Sequence, residues 1–304
     1  DFFKDKGLHN ESIDLGFNHK SGLFVNGGYT RNNHGGWQGD LTGREKRWHP
    51  KDQALMNGMF GFQNRNMNVW YRLDFLDEKI FGPNNGSELQ PEKVSDKDFL
   101  TKRYTHQLQS DWKLDNRLDV HAALSYQDYK RRTRTTESDL STGEKWLSSA
   151  EASQDITQYK AWIARATVAW NIAPEFSVQP GVEYQWTQGE GGRIDGTPKV
   201  SDLAFFLSAE YKPWEWLSLR PGVRTFIVAD YDAPIAIPSV LTKFKLTKHM
   251  DLRLSYAYGF RSPTLQELYF SFHNDNHDID GNPDLKAEYS HNITGSVAYR
   301  VLHS

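Results

Sequence analysis

From residue 117 onward the chain alternates apolar and polar residues with a period of two, and helical spacing is scarce. Over 160–170, Trp162, Ala164, Ala166, Val168 and Trp170 share one face, while Ile163, Arg165, Thr167 and Ala169 share the other. The first face is apolar and carries an indole at each end. Eight residues at about 3.3 Å each, tilted by about 45°, set those rings roughly 19 Å apart along a membrane normal. That spacing suits two interfacial rings at opposite edges of an apolar band. The pattern recurs in Phe176, Val178, Pro180, Val182, Tyr184 and Trp186, and in Leu203, Phe205, Leu207, Ala209 and Tyr211. It returns in Leu252, Leu254, Tyr256, Tyr258 and Phe260, with Glu183, Glu210, Asp251 and Arg253 on the opposing faces. A soluble sandwich alternates as well, so alternation alone does not separate it from a membrane wall.

The connections separate them. Predicted strands cover 11–18, 22–31, 53–62, 67–76, 103–112, 117–131, 158–170, 175–188, 202–211, 216–230, 236–246, 250–260 and 288–300. Short turns at 19–21, 63–66, 113–116, 171–174, 212–215 and 247–249 alternate with longer loops at 32–52, 77–102, 132–157, 189–201, 231–235 and 261–287. Compact soluble domains rarely hold several structureless loops beyond about 15 residues. An outer-membrane barrel has short turns on one side and long loops on the other by construction. The fold expected is therefore all-β, an antiparallel transmembrane β-barrel. Thirteen strands is an odd number, whereas single-chain bacterial barrels close with an even one. An open edge in hydrocarbon would cost several kcal/mol per unpaired backbone group. The expectation is a partial barrel, with some of its wall outside this sequence.

Composition agrees with that picture. No apolar run reaches 18 residues, which excludes a transmembrane helix but not a strand that faces lipid with every second residue. The 10 Trp, 14 Tyr and 17 Phe are enough to build interfacial girdles. Without cysteine there is no disulfide or thiolate chemistry, and a net charge of -3 argues against a nucleic-acid partner. The first six residues hold no apolar signal-peptide core, and the last four follow directly on a strand pattern. Both ends read as those of a processed chain or a fragment.

The most specific motif is Gly259-Phe260-Arg261-Ser262-Pro263-Thr264, followed after a short interval by Gly281-Asn282-Pro283-Asp284-Leu285-Lys286-Ala287-Glu288. Pro263 cannot continue a ladder, and Asn282-Pro283 initiates a turn. This pair resembles the FRAP and NPNL boxes of TonB-dependent outer-membrane receptors, with Ser262 in place of the usual Ala and Asp284 in place of Asn. The resemblance is tight over 259–291 and architectural elsewhere. It implies a barrel of about 22 strands closed by an N-terminal plug, of which this chain supplies thirteen. Residues 1–304 then form one barrel domain lacking the plug and the C-terminal strands. The resemblance also implies import of a scarce nutrient across the bacterial outer membrane, driven by the TonB–ExbB–ExbD complex through a plug and TonB box. An iron chelate, siderophore or haem, is the expected cargo. Cobalamin, a glycan or a peptide is the alternative within the family, and a passive porin or adhesin barrel the alternative outside it. A surface lipoprotein could assist as a partner, and no cofactor is expected.

Candidate ligand contacts lie in the loops. His273 and His277 fall between the two boxes, and imidazole is a natural ligand of haem iron; polar loop residues are the competing reading. Trp37 and Trp48 stand in a second loop rich in cations, where stacking on a chelate competes with simple interfacial anchoring. Arg261 offers a cation at the mouth of the first loop. An EF-hand starting at Asn276 would need a bidentate Glu at Ala287, so that motif is rejected. Looser calcium binding by Asp275, Asp278 and Asp280 is the remaining metal reading, and no metal site is expected. The run Lys130-Arg131-Arg132-Thr133-Arg134 sits where a strand emerges, facing either lipopolysaccharide phosphates or water. No nucleophile elbow, H-E-x-x-H, P-loop or dinucleotide fingerprint occurs, and no enzymatic activity is expected. Glu183 and Glu210 lie near Arg165, Arg220 and Arg224 in strand order, which predicts ion pairs in the barrel lumen.

Overall fold

The structure, a computed structural model, describes residues 7–150, 152–229, 233–274 and 277–301. Its main strands are β1 (Leu8–Asn18), β2 (Leu23–His34), β3 (Lys51–Gln63), β4 (Met67–Gly82), β5 (Lys93–Lys113), β6 (Leu118–Asp139), β8 (Ile156–Ala173), β9 (Phe176–Glu190), β10 (Lys199–Trp214), β11 (Leu217–Ala229), β12 (Ile237–Lys245), β13 (Met250–Arg261) and β16 (Glu288–Tyr299). These thirteen form one antiparallel sheet in sequence order, and a short β7 (Lys145–Leu147) adds to the edge of β6. The same thirteen strands are the ones the alternation predicts.

Register converts the alternation into two continuous surfaces. Phe17, Val25, Phe60, Tyr71, Leu108, Leu124, Ala164, Tyr184 and Leu203 stand opposite one another across nine strands, an unbroken apolar row. Their neighbours along each strand point the other way and are mostly polar, as a lumen requires. There Glu183 meets Arg165 at 2.6 Å and Arg224 at 2.7 Å, and Glu210 meets Arg220 and Lys212, each at 3.0 Å. These are the lumenal charge pairs expected from strand order. A wall one sheet thick has no second layer to bury its apolar face, so few apolar side chains are buried. Among the described residues they are Leu76, Val94, Ile194, Ala204, Leu265, Leu268 and Ala287. Ile194, Leu265, Leu268 and Ala287 lie outside the main sheet, in loops at its long-loop end.

The largest departures from the predicted boundaries occur at that end. β5 runs 21 residues and β6 runs 22, about twice the 9–11 needed to span hydrocarbon. Residues 93–102 and 132–139 pair fully although the sequence places them in loops. Beyond the membrane both faces meet water, so the ladder continues after the apolar alternation has stopped. The segment 261–287, expected to lack regular structure, contains a helix α1 (Leu265–Tyr269) and a hairpin of β14 (Ser271–Asn274) and β15 (His277–Asp280).

Candidate functional site

The two boxes build a clasp. Pro263 ends β13, and Thr264 caps α1: its hydroxyl accepts from the Glu267 amide at 3.2 Å while Glu267 Oε2 accepts from the Thr264 amide at 2.7 Å. Leu265 and Leu268 are the buried side of this single turn. Leu265 packs over Gly189 of β9, where a Cβ would come within 2.8 Å of Leu265 Cδ2. The second box returns to the helix through Gly281, whose amide donates to the Phe270 carbonyl at 2.6 Å, and Asn282, whose amide donates to the Glu267 carbonyl at 3.0 Å. Any Cβ at Gly281 would sit 2.7 Å from the Leu268 backbone. Asn282 then shapes its own turn by accepting from the Asp284 amide at 2.9 Å, and Leu285 donates to the Asn282 carbonyl at 3.2 Å.

Arg261 locks the clasp. It stands directly opposite Glu288 in the β13–β16 ladder and grips it with Nε and Nη2 at 2.9 and 2.7 Å. Its Nη1 and Nη2 also donate to Glu267 at 3.0 and 3.1 Å. Paired, charge-assisted forks of this kind fix geometry as well as adding energy. The guanidinium holds the Glu267 carboxyl at about 2 and keeps Glu288 below the ordinary carboxylate range. Phe260, Arg261, Ser262 and Pro263 thus join Asn282, Pro283, Asp284 and Leu285 in one loop scaffold.

The segment held by that scaffold lines one side of a recess of about 730 Å³ on the lumenal face of the long-loop end, through Gln266 of α1 and Ser271 of β14. Lys97 and Phe99 from β5, Arg131 from β6, Arg193 from the β9–β10 loop, and Phe272 and His273 from β14 surround it. The Arg131 guanidinium stacks 4.4 Å from the Phe99 ring, and Arg193 stacks 4.4 Å from Phe272. The β9–β10 loop is joined to the clasp by backbone bonds from Asp195 to Tyr269 at 3.0 Å and from Ser271 to Arg193 at 3.1 Å. The wall's single acid, Asp155, is already committed to the Gly192 amide at 2.6 Å and the Thr157 hydroxyl at 2.9 Å. The recess therefore offers cations and ring faces.

His273 has no free ring nitrogen. Nδ1 faces Asp278 at 2.5 Å, and Nε2 faces Asp280 and the Ser271 hydroxyl, each at 3.1 Å. The hydrogen bond to Asp278, helped by the Asp280 charge, raises the imidazole above its ordinary pKa and favours the imidazolium. These three residues bring one ligand atom each within 4.8 Å of one another, the one such cluster among the described residues, and all three are exposed. Asn276 and Asp275 lie outside the described residues, as does the side chain of His277, whose backbone begins β15. Trp37 and Trp48 are paired by backbone bonds of 2.9 and 3.0 Å with their rings 5.7 Å apart, edge to face. Trp48 lines a different recess, with Asn32, His34, Arg47 and His49. The structure thus does not bring the two tryptophans to His273. Sequence reasoning missed Lys97, Phe99, Arg193 and Phe272; strand parity extended beyond the apolar band would have placed Lys97 and Phe99 beside Arg131.

A family model described as TonB dependent receptor-like, beta-barrel matches residues 3–301. No curated protein matches the sequence significantly. Among solved structures, the siderophore receptor PirA of Pseudomonas aeruginosa superposes with a TM-score of 0.72 at 13% identity, over 98% of this chain and 50% of its own. The ferric enterobactin receptor PfeA of the same organism, a G324V mutant, gives 0.69 at 14% identity, over 98% and 49%. The outer membrane transporter YddB of Escherichia coli gives 0.73 at 13% identity, over 97% and 45%. The chain thus spans about half the length of these structures, and the likeness is one of fold.

Proposed function

Because the chain belongs to the TonB-dependent receptor β-barrel family and lies in a Gram-negative outer membrane, we propose that it walls a receptor that captures an iron chelate outside and imports it. The whole receptor would couple capture to TonB–ExbB–ExbD through a plug, whose movement opens a path along the polar lumen. No chemistry on the cargo is involved.

The observation that carries this reading is the recess between Arg131 and Arg193, with Phe99, Phe272, Lys97 and His273 around it. A cation about 4 Å from an anion contributes about 1 kcal/mol in bulk water and about 4 kcal/mol at an effective dielectric constant of 20. Ring stacking adds only about 0.5–1.5 kcal/mol. With Lys97, Arg131 and Arg193 present, and His273 already matched by Asp278 and Asp280, ligand charge outweighs ligand aromaticity, and a polyanionic ferric catecholate satisfies both. PirA and PfeA, named for a siderophore and for ferric enterobactin, agree in kind. Haem would need His273 to give up one carboxylate before a nitrogen could reach iron. Haem, although anionic, therefore ranks below a ferric catecholate, and cobalamin, which lacks a polyanionic charge, does as well.

The test uses the full-length receptor with ferric tris-catecholate, a neutral ferric hydroxamate and haemin, followed by binding and by iron uptake in cells. The catecholate is expected to bind tightest, and Arg131→Ala with Arg193→Ala to weaken it more than tenfold. Equal binding of the neutral hydroxamate, or an unaffected double variant, would reject the anionic cargo. Absence of any chelate-dependent iron uptake would reject the receptor itself.

A further inference from the structure

Strand parity divides the basic run on β6 between two environments. Arg131 faces the lumenal recess, whereas Lys130, Arg132 and Arg134 occupy the outward positions, in register with the apolar row. Lys102 stands directly opposite Lys130 on β5, and Lys160 opposite Asp128 on β8. Outward rings mark the edge of the apolar band just below: Phe75 against Tyr104 at 4.7 Å, and Tyr126 against Trp162 at 4.4 Å. Lys102 and Lys160 lie two residues beyond their rings, and Arg132 six beyond Tyr126. With about 3.3 Å per residue and a tilt of about 45°, the cations stand roughly 5 to 14 Å outside the ring level. That is the depth of lipid headgroups in the outer leaflet.

The charge there is not self-compensated. Asp98 takes Lys79 at 3.2 Å and also Arg134, and Asp77 lies 3.9 Å from Lys102. Asp128 accepts from Gln158 at 2.8 Å. Lys130, Arg132 and Lys160 form no ion pair among the described residues. Like charges directly opposite in a ladder destabilise it, and Asp77 answers only Lys102, so Lys130 across from it gains from a further anion. The patch ends at β9, where neutral Gln188 stands opposite Lys160.

We propose that this outward patch on β5, β6 and β8 binds the two phosphates of a bis-phosphorylated outer-leaflet lipid, the lipid A of lipopolysaccharide. Lys130, Arg132 and Lys160 supply the free cations, Tyr126 and Trp162 flank the first acyl carbons, and ammonium and guanidinium groups meet phosphate oxygens by charge-assisted hydrogen bonds. The inference is independent of the cargo, because these side chains face away from the lumen.

The experiment is native mass spectrometry of the full-length, delipidated receptor titrated with bis-phosphoryl and mono-phosphoryl lipid A. Wild type is expected to hold the bis-phosphoryl lipid at least tenfold more tightly. The combined Lys130→Gln, Arg132→Gln, Lys160→Gln variant should lose that preference while keeping the heat-modifiable gel mobility of a folded barrel. Arg131→Gln, one residue away but lumenal, should retain it. Equal retention of the two lipids by wild type, an unchanged preference in the triple variant, or its loss in Arg131→Gln would overturn the proposal.

Discussion

Leu268 is the side chain whose loss the external clasp should feel most. It lies on the inner side of α1, is 2% exposed, and has the Gly281 backbone pressed against its own. Burying a leucine contributes about 1.5–3 kcal/mol, and truncation to alanine in a site that cannot collapse costs about 2.7–5 kcal/mol. Collapse is restricted here because three backbone bonds, from Gly281, Asn282 and Asp195, hold the loop around the helix. Leu285 belongs to the family motif yet is 37% exposed, so Leu285→Ala should cost no more than about 1.5 kcal/mol. Hydrogen exchange on the full-length receptor distinguishes the two. At 1.4 kcal/mol per factor of ten, Leu268→Ala should speed exchange of the α1, Gly281 and Asn282 amides by roughly 80- to 4,000-fold, up to the ceiling of an open loop. Exchange in the membrane ladder of β8 and β9 should stay at wild-type rates, since the wall does not rest on the clasp. Equal acceleration by Leu285→Ala, or none by Leu268→Ala, would refute the idea that burial rather than motif membership sets the stability of this loop.

Acid should open the same loop in a defined window. Glu267 sits at about 2 and Glu288 is also lowered, so their contribution is complete above the unfolded carboxylate value of about 4.5 and is lost as pH falls toward 2. Pepsin should therefore spare residues 262–274 at pH 4 and cut them near pH 2, whereas Glu267→Gln should be cut at both. The His273 pKa is raised, so its ion pairs are fully present below about 6.5 and vanish as pH climbs through the raised value. NMR titration of labelled histidines should find His273 charged above pH 6.5, and Asp278→Asn should bring its midpoint down; an unmoved midpoint would remove Asp278 as the cause. Gly189→Val should push Leu265 off β9 and expose the α1 amides without altering the barrel's gel mobility.

The strands were legible because lipid on one side and a polar lumen on the other impose a two-residue period, and that period fades where both sides are water. Hence Trp162 to Trp170 reads clearly, while Lys93 to Lys102 does not. The clasp was half legible. Thr264 and Glu267 have the spacing of a capping box, yet one turn of helix is too short for periodicity to reveal. The Arg261–Glu288 bond follows from the strand register, which links residues 27 apart in sequence. The recess was the least legible feature. Phe99, Arg131, Arg193 and Phe272 come from four separate segments, and only pairing between strands and loops assembles them.

A wall one sheet thick also restricts how the protein can change over generations. Inserting a single residue into β6 before Lys130 would turn Arg131 toward lipid and send Lys130 and Arg132 into the lumen, spoiling both surfaces at once. Two inserted residues would restore both. Strand length can therefore drift only in even steps, while the loops beyond the sheet escape that parity. Variation in length should accumulate in those loops, leaving the spacing of the wall unchanged.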